Sequence, residues 1–145
     1  MASKIKNKTN RPFLRILDAN YNRAKEALRV SEDFARFLLD DDKLTRKFKK
    51  CRHQVTRALL AFPVSYRLLL ESRNSPEDVG RNGAIRDSSK RPVERDIMTA
   101  NIRRAQEALR VLEEIAKILS PRHSGAFQKI RFSLYELERE SFQKF

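Results

Sequence analysis

Residues 19–38 read ANYNRAKEALRVSEDFARFL and residues 100–119 read ANIRRAQEALRVLEEIAKIL, so one segment occurs twice in the chain, 81 positions apart. Eleven of the nineteen positions from Asn20 to Leu38 are identical in the second copy. Apolar residues recur at spacings of three and four in both copies, which predicts one amphipathic helix for each. The charged residues recur as well, although a shared core would not require them to.

The sequence around the repeat predicts further helices. Phe48 and Phe127 correspond at an offset of 79, which extends the repeat into the helix that follows each copy. The acidic run that begins at Asp40 offers an N-cap, and Pro63, Pro92 and Ser124 mark further helix starts. The predicted helices are residues 14–39, 43–61, 63–71, 92–119 and a last helix from 124.

Two hairpins, each a long helix followed by a second helix, predict an all-α fold, a four-helix bundle with pseudo-twofold symmetry. Residues 73–92 would be its long connection. Residues 1–12 carry four cations and no acid, which predicts a basic, disordered tail. Residues 13–145 are then one helical domain, long enough to bury a core.

The formal net charge of +13 suggests an anionic partner, whether nucleic acid, a membrane surface or a phosphorylated metabolite. Apart from the tail, the cations alternate with the 19 carboxylates, which favours an ion-paired surface over a basic stripe. A helical nucleic-acid-binding module without catalytic activity is nevertheless the alternative function, and a scaffold bundle is a third. No apolar run approaches the roughly 20 residues that span a bilayer, so no membrane partner is expected.

One cysteine, Cys51, permits no internal disulfide and suits a reducing cytoplasm, which is the expected location. Cys51 falls on the apolar stripe of its helix, so a buried structural thiol is expected. Histidines His53 and His123 stand in no metal-ligand spacing. No P-loop, GxGxxG or CxxC motif is present, and the sequence does not decide whether the protein is a monomer or a homodimer.

Asn20 and Asn101 fall on the apolar side of the two repeated helices. A buried amide needs hydrogen-bond partners, because leaving one unsatisfied costs about 1–3 kcal/mol. The pair either fixes the register of the two helices or lines a polar cavity between them, and the sequence leaves both interpretations open.

The repeated charges form a row with a spacing of three. One interpretation is a ladder of ion pairs along the helix, each contributing roughly 0.2–0.5 kcal/mol. The other is a site, because carboxylates beside guanidinium groups can hold Mg²⁺ and phosphate oxygens. The row comprises Arg23, Glu26, Arg29 and Glu32 in the first copy and Arg104, Glu107, Arg110 and Glu113 in the second.

Several segments together resemble the small all-helical hydroxymethylpyrimidine phosphate kinase family, a domain often fused in front of thiamine phosphate synthase. They are RILDANYNRAKEALRVSEDFARF, the Arg52-His53 pair, RNSPEDVG and ANIRRAQEALRVLEE. The resemblance runs from about Arg15 to Glu138. It implies transfer of a phosphoryl group from ATP, with Mg²⁺, to 4-amino-5-hydroxymethyl-2-methylpyrimidine phosphate. No synthase segment follows residue 145, so a stand-alone form is expected, with thiamine phosphate synthase acting next in thiamine biosynthesis.

The resemblance and the repeat together suggest roles for individual residues. The catalytic residues are expected to be Arg29, Arg110, Glu32 and Glu113. Substrate or nucleotide binding is expected from Asn20, Arg23, Glu26, Arg52, Asp78, Gly80, Asn101, Arg104, Glu107 and Arg131. Magnesium is expected at Glu32, Asp33, Glu113 and Glu114.

Overall fold

The computed structural model describes residues 10–81 and 90–145. Within these ranges every regular element is helical, as the sequence predicted. The five α-helices are α1 (Arg11–Asp33), α2 (Asp42–Ala61), α3 (Tyr66–Ser72), α4 (Glu94–Leu119) and α5 (Ser124–Phe142).

Helix α1 begins three residues earlier than residue 14, where the sequence predicted its start. Pro12 lies in its first turn, where a missing N–H does no harm, so Arg11 and Pro12 belong to the helix. The rest of the predicted tail, residues 1–9, lies outside the described residues. At its other end α1 continues as a π-helical segment, Phe34–Leu38.

The acidic run after that segment does cap α2, as predicted. The Asp41 side chain accepts a hydrogen bond from the Leu44 backbone N–H at 2.9 Å. Asp40, just before it, has a φ of 50°, a left-handed conformation that turns the chain between the two helices. A single aspartate therefore satisfies the α2 N-terminus.

Two predicted helix starts are wrong, whereas the last helix begins at residue 124 as predicted. Ser65, not Pro63, precedes α3 and accepts from the Leu68 N–H at 3.2 Å. Helix α4 begins at Glu94, two residues after Pro92. Ser124 is the first residue of α5 instead of its cap, because its Oγ donates to the Pro121 carbonyl at 2.9 Å. The predicted loop, residues 73–92, includes residues 82–89, which lie outside the described residues.

The four long helices form the bundle, and α3 packs on α1. The most extensive contact joins α1 to α4, followed by α4 with α5 and α1 with α2. Leu28 and Leu109, which correspond in the repeat, are both fully buried. A pseudo-twofold axis that relates the two halves stays a prediction.

The single cysteine lies in this core. Cys51 is 4% exposed, and burial raises the pKa of its thiol to about 11. The expectation of a buried structural thiol is confirmed. In the described ranges no helix combines the length and the apolar character that crossing a membrane requires.

Candidate functional site

A cavity of about 570 Å³ lies between α1 and α4, the two copies of the repeat. Helix α1 contributes Asn20, Arg23, Glu26, Ala27 and Val30 to its lining. Helix α4 contributes the residue 81 positions later in each case, so the lining consists of five identical pairs. The segment that is repeated most faithfully is therefore the segment that forms the cavity wall.

The two asparagines line this cavity instead of pairing with one another. Asn20 is 5% exposed, and its Nδ2 donates to the Ile16 carbonyl at 2.9 Å. Asn101 makes the same contact with the Ile97 carbonyl at 2.8 Å. Each amide is thereby oriented by its own helix, while its carbonyl oxygen and second hydrogen stay available for a ligand.

The repeated charged row divides into two parts with different surroundings. Arg23 and Glu26 line the cavity with Arg104 and Glu107. Among the described residues, neither Glu26 nor Glu107 takes part in an ion pair. The continuous ladder of ion pairs that the spacing suggested is therefore absent from this half of the row.

The other half of the row in α1 is an inter-helix ion pair. Glu32 is only 5% exposed and receives two hydrogen bonds from Arg52 of α2. Arg52 Nε lies 2.7 Å from Glu32 Oε2, and its Nη2 lies 3.3 Å from Oε1. Arg29 Nη1 lies 3.5 Å from Glu32 Oε1, and more than half of the Arg29 side chain is exposed.

The same arrangement recurs in the second copy. Glu113 is 2% exposed, and its Oε2 accepts from Nε and Nη2 of Arg131 in α5 at 3.1 and 2.9 Å. Arg110 lies 3.5 Å from the other carboxylate oxygen, Oε1. These two buried pairs tie α1 to α2 and α4 to α5. The structure thus places Arg29, Glu32, Arg52, Arg110, Glu113 and Arg131 outside the lining of the cavity.

The four residues expected to bind magnesium do not form a cluster. In the described part of the chain, no group of three or more His, Cys, Asp or Glu side chains could hold a metal ion. Glu114 is engaged by Lys117 at 2.7 Å, a hydrogen bond that lowers the pKa of its carboxyl group. Mg²⁺ commonly binds one or two carboxylates plus substrate phosphates. The carboxylates that fit this pattern are Glu26 and Glu107, which share the cavity.

A second cleft, of about 480 Å³, adjoins the cavity at Glu26 and lies between α1, α3 and the turn after α3. Asp18 is buried there, although it is charged and stands on the apolar side of α1. Arg73 holds it with two hydrogen bonds of 2.6 and 2.9 Å, and these raise the pKa of the arginine. Asp78 lines the cleft, and its Oδ1 accepts from the Gly80 N–H at 2.8 Å.

Sequence reasoning included Asp78 and Gly80 but missed the rest of this cleft. Asp18 and Arg73, which pair in this cleft, are 55 residues apart in sequence, so no local pattern connects them. The signal available was an aspartate within the apolar stripe of α1, since a buried carboxylate requires a partner.

Comparison with known proteins shows which family the chain belongs to. The model of the ThiD2 family matches residues 15–140, which include both copies of the repeat and both clefts. The chain belongs to the ThiD2 family.

The curated relatives of this chain include several thiamine-phosphate synthases. The chain is 37% identical over 134 residues to a thiamine-phosphate synthase of Rhodopirellula baltica, covering 92% of this chain and 35% of that protein. A thiamine-phosphate synthase of Synechocystis sp. is 36% identical over 124 residues, with 86% and 34% covered. One of Gloeobacter violaceus is 37% identical over 125 residues, with 86% and 35% covered.

The chain thus spans about a third of the length of the curated relatives it matches. No solved structure matches it. The family and the relatives support a role in thiamine biosynthesis.

Proposed function

We propose that this member of the ThiD2 family transfers the γ-phosphoryl group of ATP to 4-amino-5-hydroxymethyl-2-methylpyrimidine phosphate. The observation that carries the proposal is the cavity between α1 and α4, whose lining supplies two arginines, two glutamates and two asparagines in matched pairs. Phosphoryl transfer depends mainly on positioning and on neutralising charge, and these residue types serve both purposes.

The chemistry needs no general base. The nucleophile is an oxygen of the substrate's own phosphate, which is largely a dianion at neutral pH because its second pKa is about 6. A bond forms between this oxygen and the γ-phosphorus of ATP, and the bond from that phosphorus to the bridging oxygen breaks. ADP leaves with the electron pair, and the pyrimidine diphosphate remains. A cavity whose described lining residues include no histidine, serine or cysteine is therefore adequate for this reaction.

The charges of the cavity favour a metal-dependent reaction. Two arginines and two glutamates cancel, whereas ATP and the monophosphate together bring several negative charges. A divalent cation would offset part of this negative charge, and Glu26 and Glu107 are the carboxylates in place to hold it. Magnesium bound there would neutralise the charge that develops on the phosphate oxygens. We assign the phosphates to Arg23 and Arg104.

The buried pairs have a supporting role in this proposal. Glu32 with Arg52, and Glu113 with Arg131, fix the helix on which each half of the cavity is built. The amides of Asn20 and Asn101 would form hydrogen bonds with the amino group and ring nitrogens of the pyrimidine, or with a phosphate oxygen.

The test is an assay for the pyrimidine diphosphate with ATP and Mg²⁺, with products separated by chromatography. We expect Arg23→Gln to lower kcat/KM by about 100-fold or more, because a cation facing the transferred charge is lost. The matched control is Arg46→Gln, whose guanidinium pairs only with exposed Asp42 on the surface of α2. Complete absence of diphosphate with the wild-type protein would contradict the proposal.

The nucleic-acid alternative predicts a different result. Part of the exposed positive charge is engaged by acids of the same surface, as in Arg67 with Glu71 and Arg139 with Glu136. Titration with duplex DNA at low and moderate salt would detect tight binding with a steep salt dependence if this alternative held.

A further inference from the structure

The cavity between α1 and α4 does not by itself distinguish its two ends. Its lining is the same five residues written twice, yet the proposed reaction joins two unlike substrates. The second cleft supplies the difference. It adjoins the cavity at Glu26 on the side of α3.

The Asp18–Arg73 pair at the base of this cleft is not duplicated. The positions that correspond to Asp18 and Asn22 in the second copy are Thr99 and Arg103. Threonine cannot form the ion pair that joins α1 to the end of α3, so the repeated sequence does not build this cleft a second time. One end of the central cavity therefore continues into a space with its own chemistry.

The charge of the second cleft argues against a phosphate site. Its lining contains Arg15 and Arg73 but three carboxylates, those of Asp18, Glu26 and Asp78. Asp18 is already paired with Arg73. Asp78 is left as a hydrogen-bond acceptor whose charge would repel a phosphate, whereas Glu26 is shared with the central cavity, where it is assigned to magnesium. Groups that donate hydrogen bonds, such as ribose hydroxyls and an exocyclic amine, suit such a lining.

The cleft also offers an aromatic ring. Tyr66, the first residue of α3, lines it and is 55% exposed. A flat heterocycle can lie against such a ring, and the contact removes apolar surface of both from water. The lining thus combines an aromatic face with hydrogen-bond acceptors.

Resting on the phosphotransfer proposed above, we infer that this cleft binds the nucleoside part of ATP, with Tyr66 against the base. Two phosphate groups, α and β, and a ribose separate the γ-phosphoryl group from the base of ATP. A single methylene and one oxygen separate the ring of the pyrimidine substrate from its phosphate. With the reacting phosphates in the central cavity, only the nucleotide has the reach to fill the neighbouring cleft.

The test measures binding as well as turnover. ADP carries the whole nucleoside, so its dissociation constant is determined by titration calorimetry with Mg²⁺ present. We expect Tyr66→Leu to weaken ADP binding by about tenfold and to raise KM for ATP similarly, while KM for the pyrimidine phosphate is unchanged. Tyr66→Phe keeps the ring and should bind ADP nearly as the wild type does.

The matched control is Phe37→Leu, which removes an aromatic ring that is 71% exposed and lies outside both linings. It should leave ADP binding unchanged. Wild-type ADP affinity in Tyr66→Leu would overturn the inference while the proposed activity stood. A raised KM for the pyrimidine phosphate alone would assign the cleft to the other substrate and also overturn it. A wild-type protein that neither binds ADP nor forms the diphosphate would contradict both proposals.

Discussion

The buried pair of Glu113 and Arg131 allows a sharp test of which repeated charges are structural. Replacing Arg131 by methionine keeps an unbranched apolar stem and removes the guanidinium. Glu113 Oε2 then loses both of its donors, at 2.9 and 3.1 Å. Its Oε1 keeps only the longer contacts, with Arg110 at 3.5 Å and Lys117 at 3.9 Å.

The loss in free energy of unfolding that is expected for Arg131→Met can be estimated from this geometry. Removing one partner of a buried ion pair typically costs about 3–5 kcal/mol, because a charge is left buried without compensation. The two longer contacts favour the lower end, about 3 kcal/mol. A domain of this size has an unfolding entropy of roughly 0.3 kcal/mol per kelvin, so Tm should fall by about 10 °C.

Urea denaturation and thermal melting would measure the loss. The control on the same helix is Arg139→Met, which breaks an exposed pair with Glu136 and should cost less than about 0.5 kcal/mol. The double variant Arg131→Met/Glu113→Leu has no unpaired charge and should recover to within about 1 kcal/mol of the wild type. Tyr135 loses a donor in both variants, but it is exposed and water can replace it.

Two results would refute the reasoning. If Arg131→Met were as stable as Arg139→Met, the Glu113–Arg131 pair would contribute no more to the free energy of unfolding than an exposed ion pair does. If the double variant folded well but formed no diphosphate, the Glu113–Arg131 pair would be required for activity, as the resemblance and the repeat together suggested for these two residues.

Three further predictions follow from other contacts. Asp41→Ala should destabilise the protein by about 1 kcal/mol in urea, because the α2 N-cap is lost, whereas Asp42→Ala should cost less. The Leu44 N–H, together with Lys144, lowers the pKa of the Asp41 carboxyl group. The stabilisation by Asp41 is therefore present at neutral pH and is lost as pH falls through that lowered pKa. If the difference in unfolding free energy between wild type and Asp41→Ala stayed the same at acid pH, this prediction would be contradicted. Burial holds the pKa of Cys51 at about 11, so iodoacetamide at pH 8 should label the native protein far more slowly than the urea-unfolded protein, and equal rates by mass spectrometry would show an accessible thiol. The unphosphorylated hydroxymethylpyrimidine should yield little or no monophosphate with ATP, because its hydroxyl group needs a base, whereas Glu26 and Glu107, the carboxylates of the described lining, are assigned to magnesium. Turnover comparable to that of the phosphate would show that a carboxylate or another group acts as that base.

The sequence by itself determined the helices and the repeat. Helical periodicity and capping are local properties, so the α2 cap at Asp41 and the buried stripe that includes Leu28 could be read directly. The starts of α3 and α4 could not be read at Pro63 and Pro92, because proline permits a helix start without requiring it. The placement of Asn20 and Asn101 in one cavity was among the alternatives, since two copies of one helix face were expected to pack together.

Only the tertiary structure decided what each repeated charge does. Spacing treats Arg23, Glu26, Arg29 and Glu32 alike, but α4 lies beside the first two and α2 beside the last. Glu32 is buried because a guanidinium twenty residues away in sequence reaches it, and that distance carries no periodic signal. The second cleft depends likewise on Arg73 meeting Asp18 across 55 residues. Pairings of this kind are set by how helices cross, and a sequence pattern does not contain that geometry.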